Sequence, residues 1–151
     1  MVERISRHSA RWRRNPPATD SPSRFGYAGP VSYSSEDLET LAGAEEVDIE
    51  TQAPGGPAHR TTIWIVVDDG EAFIRTYKGP DSRWYREAVA NPAVAIHVNG
   101  QRLASTAIPA SDPDSIERVS VGFRRKYAGD SATDAMVAGP NLPTTLRLEP
   151  A

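Results

Sequence analysis

The chain contains no cysteine among its 151 residues. That excludes disulfides, thiolate-held zinc, iron–sulfur clusters and a cysteine nucleophile. Histidine is nearly as scarce. His8, His59 and His97 are the only three, and none stands from another at the spacing of a zinc-binding helix motif, so no metal is expected. Long apolar runs are missing too. No stretch approaches the roughly 20 residues needed to cross a bilayer. Arg13-Arg14 lead into Asn15-Pro16-Pro17 instead of the apolar segment of a secretion or twin-arginine signal. A cytoplasmic protein without membrane partners is the expectation. A Ser-His-Asp order, a paired-carboxylate motif and a Gly-rich phosphate loop are also absent.

What is present suits one soluble domain with a single core: 38% of residues are hydrophobic and 25% charged. The net charge of −3 is unevenly spread, at +4 over residues 1–24 and −7 over residues 25–151. A basic tail can serve nucleic acid or anionic lipid. This one lacks interleaved aromatics and amphipathic spacing, so nucleic acid is not an expected partner. Pro16-Pro17, Ser21-Pro22-Ser23 and Gly29-Pro30 recur too often for a packed element. Residues 1–33 are therefore read as a disordered basic, Pro-rich tail, and residues 34–151 as the folded domain.

Within that domain, Ser34 or Ser35 caps a short helix that Gly43 ends. Glu46 to Thr51 alternate polar and apolar, as a half-exposed strand does. Arg60 to Val67 and Glu71 to Tyr77 are two strand-like runs joined by Asp69-Gly70, a strong hairpin signal. A helix capped by Asp81 runs to Asn91-Pro92. Ala93–Val98 and Gln101–Ile108 form a second hairpin about Asn99-Gly100. Asp112-Pro113 opens a helix carrying Ile116, Val119, Phe123 and Tyr127 on one face, and Gly129 stops it. Thr144–Leu148 closes the order. The fold class expected is mainly β: a split antiparallel barrel of six or seven strands with two or three short helices.

The first hairpin is legible pair by pair. Counting outward from Asp69-Gly70, Val67, Ile65 and Ile63 meet Ala72, Ile74 and Thr76, an aliphatic face for the barrel interior. The other face pairs Val66 with Phe73, Trp64 with Arg75 and Thr62 with Tyr77. It is either a ligand or dimer surface, or an arginine–tryptophan cation–π pair at the rim. Beyond this hairpin Lys78 leaves the strand, Gly79-Pro80 turns the chain, and Ser82 and Arg83 begin a helix. A helix N-terminus with a hydroxyl and two cations suits a phosphate, although Asp81 competes for the same N–H groups. His59 reads as a solvated loop histidine, His97 as a neutral strand histidine opposite Arg102, and Arg124-Arg125-Lys126 as the basic end of a helix.

Three groups of residues together resemble a known family. They are Thr62-Ile63-Trp64-Ile65-Val66-Val67 with Tyr77 to Arg86, Arg125-Lys126-Tyr127, and Val137-Ala138-Gly139-Pro140 with Thr144 to Leu148. Over roughly residues 36–150 the chain is similar to the family called domain of unknown function 2255, within the FMN-binding split barrels that include pyridoxamine 5′-phosphate oxidase and the deazaflavin-dependent reductases. The resemblance implies a homodimer with FMN or a deazaflavin (coenzyme F-420) at the shared interface. It implies that Ser82-Arg83 grip the cofactor phosphate, that Asn91-Pro92 opens the next strand, and that Arg60, Thr61, Thr62 and Trp64 lie along the ring system. Tyr77 and Lys78 complete the expected cofactor site. Trp84 departs from the oxidase pattern, where a second basic residue follows Ser-Arg. No counterparts of the oxidase's substrate-binding residues are visible, so oxidation of pyridoxamine phosphate is not implied. The function expected is an oxidoreductase acting on a small molecule, with a non-catalytic, dimeric cofactor- or ligand-binding module as the alternative. No acid–base constellation is required, because in such chemistry the ring carries the hydride.

Overall fold

The computed structural model describes residues 32–151, so most of the expected tail lies outside the described residues. At its inner boundary the expectation is corrected. Tyr33 is buried, and its hydroxyl lies 2.6 Å from Ser105 Oγ. The packed domain therefore includes residue 33.

Helix α1 spans Ser35–Gly43. Ser34 Oγ accepts the Asp37 N–H at 3.1 Å, and Leu38, Leu41 and Ala42 form the buried face. Seven strands follow: β1 (Val47–Gln52), β2 (Ala58–Ile63), β3 (Val66–Asp68), β4 (Glu71–Ile74), β5 (Ala93–Val98), β6 (Gln101–Pro109) and β7 (Leu146–Pro150). All pairings are antiparallel, in the order β2-β1-β5-β6-β7-β4-β3. The two edge strands, β2 and β3, are consecutive in the chain and joined only by Trp64-Ile65. Six strand spacings in a flat sheet would separate them by roughly 28 Å. The three residue steps from Ile63 to Val66 reach only about 10 Å. The sheet must therefore curl, and it does so into a split half-barrel whose seam is Trp64-Ile65.

This seam corrects the expected single strand from Arg60 to Val67. Its first part pairs with β1, in the register Val47↔Ile63 to Gln52↔Ala58. Only its last part forms the Asp69-Gly70 hairpin, with Val66↔Phe73, Val67↔Ala72 and Asp68↔Glu71. Asp69 and Gly70 adopt φ of 52° and 79°, as a type I′ turn demands. The expected pairs beyond Val66–Phe73 do not form. The second hairpin keeps its expected register, from Val98↔Gln101 through His97↔Arg102.

Helix α2 is Arg83–Ala90, α3 is Pro113–Lys126 and α4 is Ala132–Met136, with a 3₁₀ turn over Gly139–Thr144. Inside the barrel pack Ile49, Ile63, Ile65, Ile74, Ile96 and Leu146, closed by Leu41 of α1 and Trp84 and Ala88 of α2. A second core lies outside β3 and β4, where Val119, Phe123 and Tyr127 cover Val66 and Phe73. That cover narrows the reading of the Trp64–Phe73–Arg75 face as a ligand or dimer surface: the chain itself covers Val66 and Phe73, while Thr62, Trp64, Arg75 and Tyr77 also border a cavity. Phe73 and Arg75 are each only 1% exposed, and Trp64 stacks on Tyr127 at 3.8 Å between ring centroids. No helix of the described residues is long and apolar enough to cross a membrane.

Candidate functional site

Where β2 turns away to join β1, the space beside the end of β4 is left unfilled. A cavity of about 510 Å³ lies there, within the range of small-molecule sites. Thr61 and Thr62 of β2 and Trp64 of the seam contribute to its wall, as do Tyr77 and Lys78 beyond β4 and Ser82 and Arg83 at the start of α2. These are seven of the eight site residues expected from sequence. Arg60 is not on the wall: its Nη2 lies 3.2 Å from Asp48 Oδ2.

The turn entering α2 is built for approach. Gly79 has φ +83°, a conformation that L side chains rarely adopt. Asn141 Oδ1 accepts the Gly79 N–H at 2.7 Å while Asn141 Nδ2 donates to Ala135 O at 2.7 Å. Asn141, buried in the 3₁₀ turn, thus ties the loop to α4. Sequence reading missed it, since nothing local marks an asparagine 62 residues downstream as a loop anchor.

The cap of α2 is Ser82, not Asp81 as expected. The Arg86 N–H closes the first turn on Ser82 O at 3.1 Å, so the N–H groups of Arg83 to Tyr85 precede the first helical bond. Asp81 does not compete for them through a cap bond; its backbone oxygen instead accepts Arg86 Nε at 3.1 Å. The Ser82 side chain makes no cap bond either. Its Oγ is buried and has no hydrogen-bond partner among the described residues. Lys78 and Arg83 stand exposed beside it on the cavity wall. Trp84 is buried in the barrel core with its ring edge-on to Tyr85, and it also contributes to the cavity wall.

The remaining wall brings in Glu45, Glu46 and Asp130, which sequence reading did not assign, and Arg75, which it had placed on a candidate ligand or dimer face. Further along α2, buried Glu87 accepts Thr51 Oγ1 at 2.8 Å and sits 3.1 Å from His59 Nδ1. Burial works to raise the Glu87 carboxyl, but hydrogen bonds from Thr51 and His59 outweigh it and hold the group below its ordinary value. His59 lies within β2, opposite Thr51, and not in the loop expected from sequence. His97 Nε2 lies 2.7 Å from Glu50 Oε1, with Arg102 on the same carboxylate. That partner was invisible to a pairwise reading of the second hairpin.

A family model described as "uncharacterized protein conserved in bacteria (DUF2255)" matches residues 37–148. No functionally curated protein matches the chain in sequence. Solved structures share the fold at low identity. HutZ, the heme storage protein from Vibrio cholerae, has a TM-score of 0.58 at 14% identity, covering 80% of this chain and 91% of that one. An F420-H2 dependent reductase has 0.53 at 17% identity, covering 70% and 94%. A putative pyridoxamine 5′-phosphate oxidase from Listeria innocua has 0.53 at 14% identity, covering 77% and 90%.

Proposed function

The chain belongs to the DUF2255 family and has the split barrel of the pyridoxamine 5′-phosphate oxidase-like group, and from that premise we propose that its cavity binds a phosphate-bearing flavin or deazaflavin for oxidoreduction of a small molecule. The observation that carries this reading is Ser82 Oγ, a buried hydroxyl without a protein partner at the N-terminus of α2. A polar group of that kind is costly unless a ligand satisfies it. Helical N–H groups, the helix dipole, Arg83 and Lys78 make the same place favourable to an anion. The residues present therefore fit a phosphate. Trp64, Thr61, Thr62 and Tyr77 form a part of the wall available to a ring system. When bound, such a ring supplies hydride transfer, and the chain's part is to hold and orient it. Arg60, paired with Asp48, is not part of the proposed site.

The test separates phosphate from ring. A charge-assisted contact is worth about 1.5–3 kcal/mol. Arg83→Ala therefore weakens FMN roughly 10–150-fold, at 1.4 kcal/mol per decade, and leaves riboflavin nearly unchanged. Equal FMN affinity in variant and wild type overturns the assignment. The same cavity serves a second reading, a non-catalytic binding module, and a neighbour described as a heme storage protein favours it. Turnover of reduced flavin by a small molecule separates the two. We also read the protein as a homodimer, with the cavity mouth, where Tyr77 is 52% exposed, facing a second copy. A monomer in sedimentation at micromolar concentration refutes this.

A further inference from the structure

Arg75 is only 1% exposed, yet it forms no ion pair with any carboxylate among the described residues. Nε donates to Thr145 Oγ1 at 2.9 Å. Nη1 donates to Ser120 Oγ at 3.0 Å and to Met136 O at 3.1 Å, and Nη2 to Ile116 O at 3.1 Å. All four acceptors are neutral. They fix the guanidinium between α3, α4 and the end of the 3₁₀ turn that leads into β7, and they leave its charge without a counter-ion. Burial, and then the like charge of Arg124, push the group down to about 10, so it still carries its proton at neutral pH. A guanidinium has five N–H donors, and four are used here. Arg75 also forms part of the cavity wall, beside Thr76 and Met136.

The other charges on that wall differ in kind. Lys78, Arg83, Glu45, Glu46 and Asp130 are all exposed, so water screens them. Arg75 alone among the wall's charges is buried. A fixed charge in a dry place acts more strongly on whatever enters. We infer that Arg75 is a positioning residue that sets the charge state of the bound ring, favouring it when it is anionic over when it is neutral. The inference rests on the flavin reading above. Its chemistry is balanced by solvent: two-electron reduction of the ring takes up two protons when the product is neutral and one when it is anionic. Arg75 favours the one-proton product, and the second proton stays in water.

The experiment is a redox titration of the full chain loaded with FMN, using dithionite as electron donor, across a range of pH. For a two-electron couple each tenfold change is about 30 mV. The midpoint potential therefore falls by about 59 mV per pH unit in the two-proton regime and about 30 mV in the one-proton regime. In the wild type, the break between the two slopes lies at least one pH unit below that of free FMN titrated in parallel, a tenfold preference for the anionic ring. Arg75→Lys keeps much of that displacement. Arg75→Gln, which retains donors and loses the charge, returns the break to the position of free FMN. A wild-type break coinciding with that of free FMN overturns the inference, as does an Arg75→Gln break left where the wild type has it. Should Arg75→Gln fail to fold, the wild-type break decides alone. Loss of FMN from wild type on gel filtration overturns the flavin reading and this inference with it. Retained FMN with an undisplaced break overturns only the role of Arg75.

Discussion

Replacing Ser82 by alanine should move apo stability and cofactor affinity in opposite directions. At an ordinary helix N-cap, Ser→Ala costs about 1 kcal/mol, because the side chain caps an N–H. Ser82 makes no such bond. Its Oγ is instead buried without a partner among the described residues. An unsatisfied buried hydroxyl costs about 1–3 kcal/mol. Ser82 as a whole is only half-buried, so the lower end applies and Ser82→Ala should stabilise the ligand-free protein by about 1 kcal/mol. For a domain of this size that raises Tm by about 4 °C. The bond to a phosphate oxygen is lost in the same variant, so FMN affinity should fall about tenfold, equivalent to roughly 1.4 kcal/mol. Thermal unfolding without ligand and a fluorescence titration with FMN read the two effects. A variant less stable than wild type without ligand shows that the hydroxyl is satisfied within the fold. A variant that binds FMN as tightly as wild type shows that no ligand uses it. Either result refutes the reasoning.

Phe123→Ala should cost about 3–5 kcal/mol in urea unfolding, since Phe123 is fully buried where α3 meets the outer face of the sheet and lies beneath the Arg75 guanidinium. Glu50 is held down to about 2 from an ordinary 4.5 by hydrogen bonds from Arg102 and then His97. A lowered folded value means stability that is present above pH 4.5 and lost as pH falls toward 2. Glu50→Gln should therefore flatten that acid limb and cost about 1–2 kcal/mol at neutral pH, allowing for partial solvent screening; unchanged acid unfolding refutes the link. Deleting residues 1–31 should leave Tm and FMN binding unchanged. Tyr33→Phe, which removes the buried bond to Ser105 Oγ, should cost about 1 kcal/mol; a larger loss from the deletion than from Tyr33→Phe would show that the tail packs on the barrel.

How far the fold can be read in advance depends on how local its cause is. Both hairpins follow from two-residue turns, Asp69-Gly70 and Asn99-Gly100, and each turn fixes the register next to it. The caps of α1 and α3 are equally local: Ser34 and Asp112 each accept an N–H three residues on. The seam is different. Arg60 to Val67 is rich in strand-forming residues throughout, and nothing at Trp64-Ile65 marks a break. The break is enforced from elsewhere. Tyr127 stacks on Trp64, its hydroxyl donates to Glu45 O at 2.8 Å and lies 3.3 Å from the Ile65 N, and Lys126 Nζ donates to Ile65 O at 2.7 Å. The backbone groups of Ile65 that a continuous strand would pair are satisfied by the end of α3. Buried so, the Lys126 amine is pushed down to about 8. A side-chain anchor some 60 residues distant leaves no trace in strand propensity, and it is this anchor that parts β2 from β3 and leaves the cavity beside them open. The same reason hid Asn141 and the burial of Arg75: each owes its role to partners brought together only when α3, α4 and the 3₁₀ turn fold back over the sheet. The expected site residues were legible because they cluster at one strand exit and one helix start, whereas the groups that shape the cavity around them come from the far end of the chain.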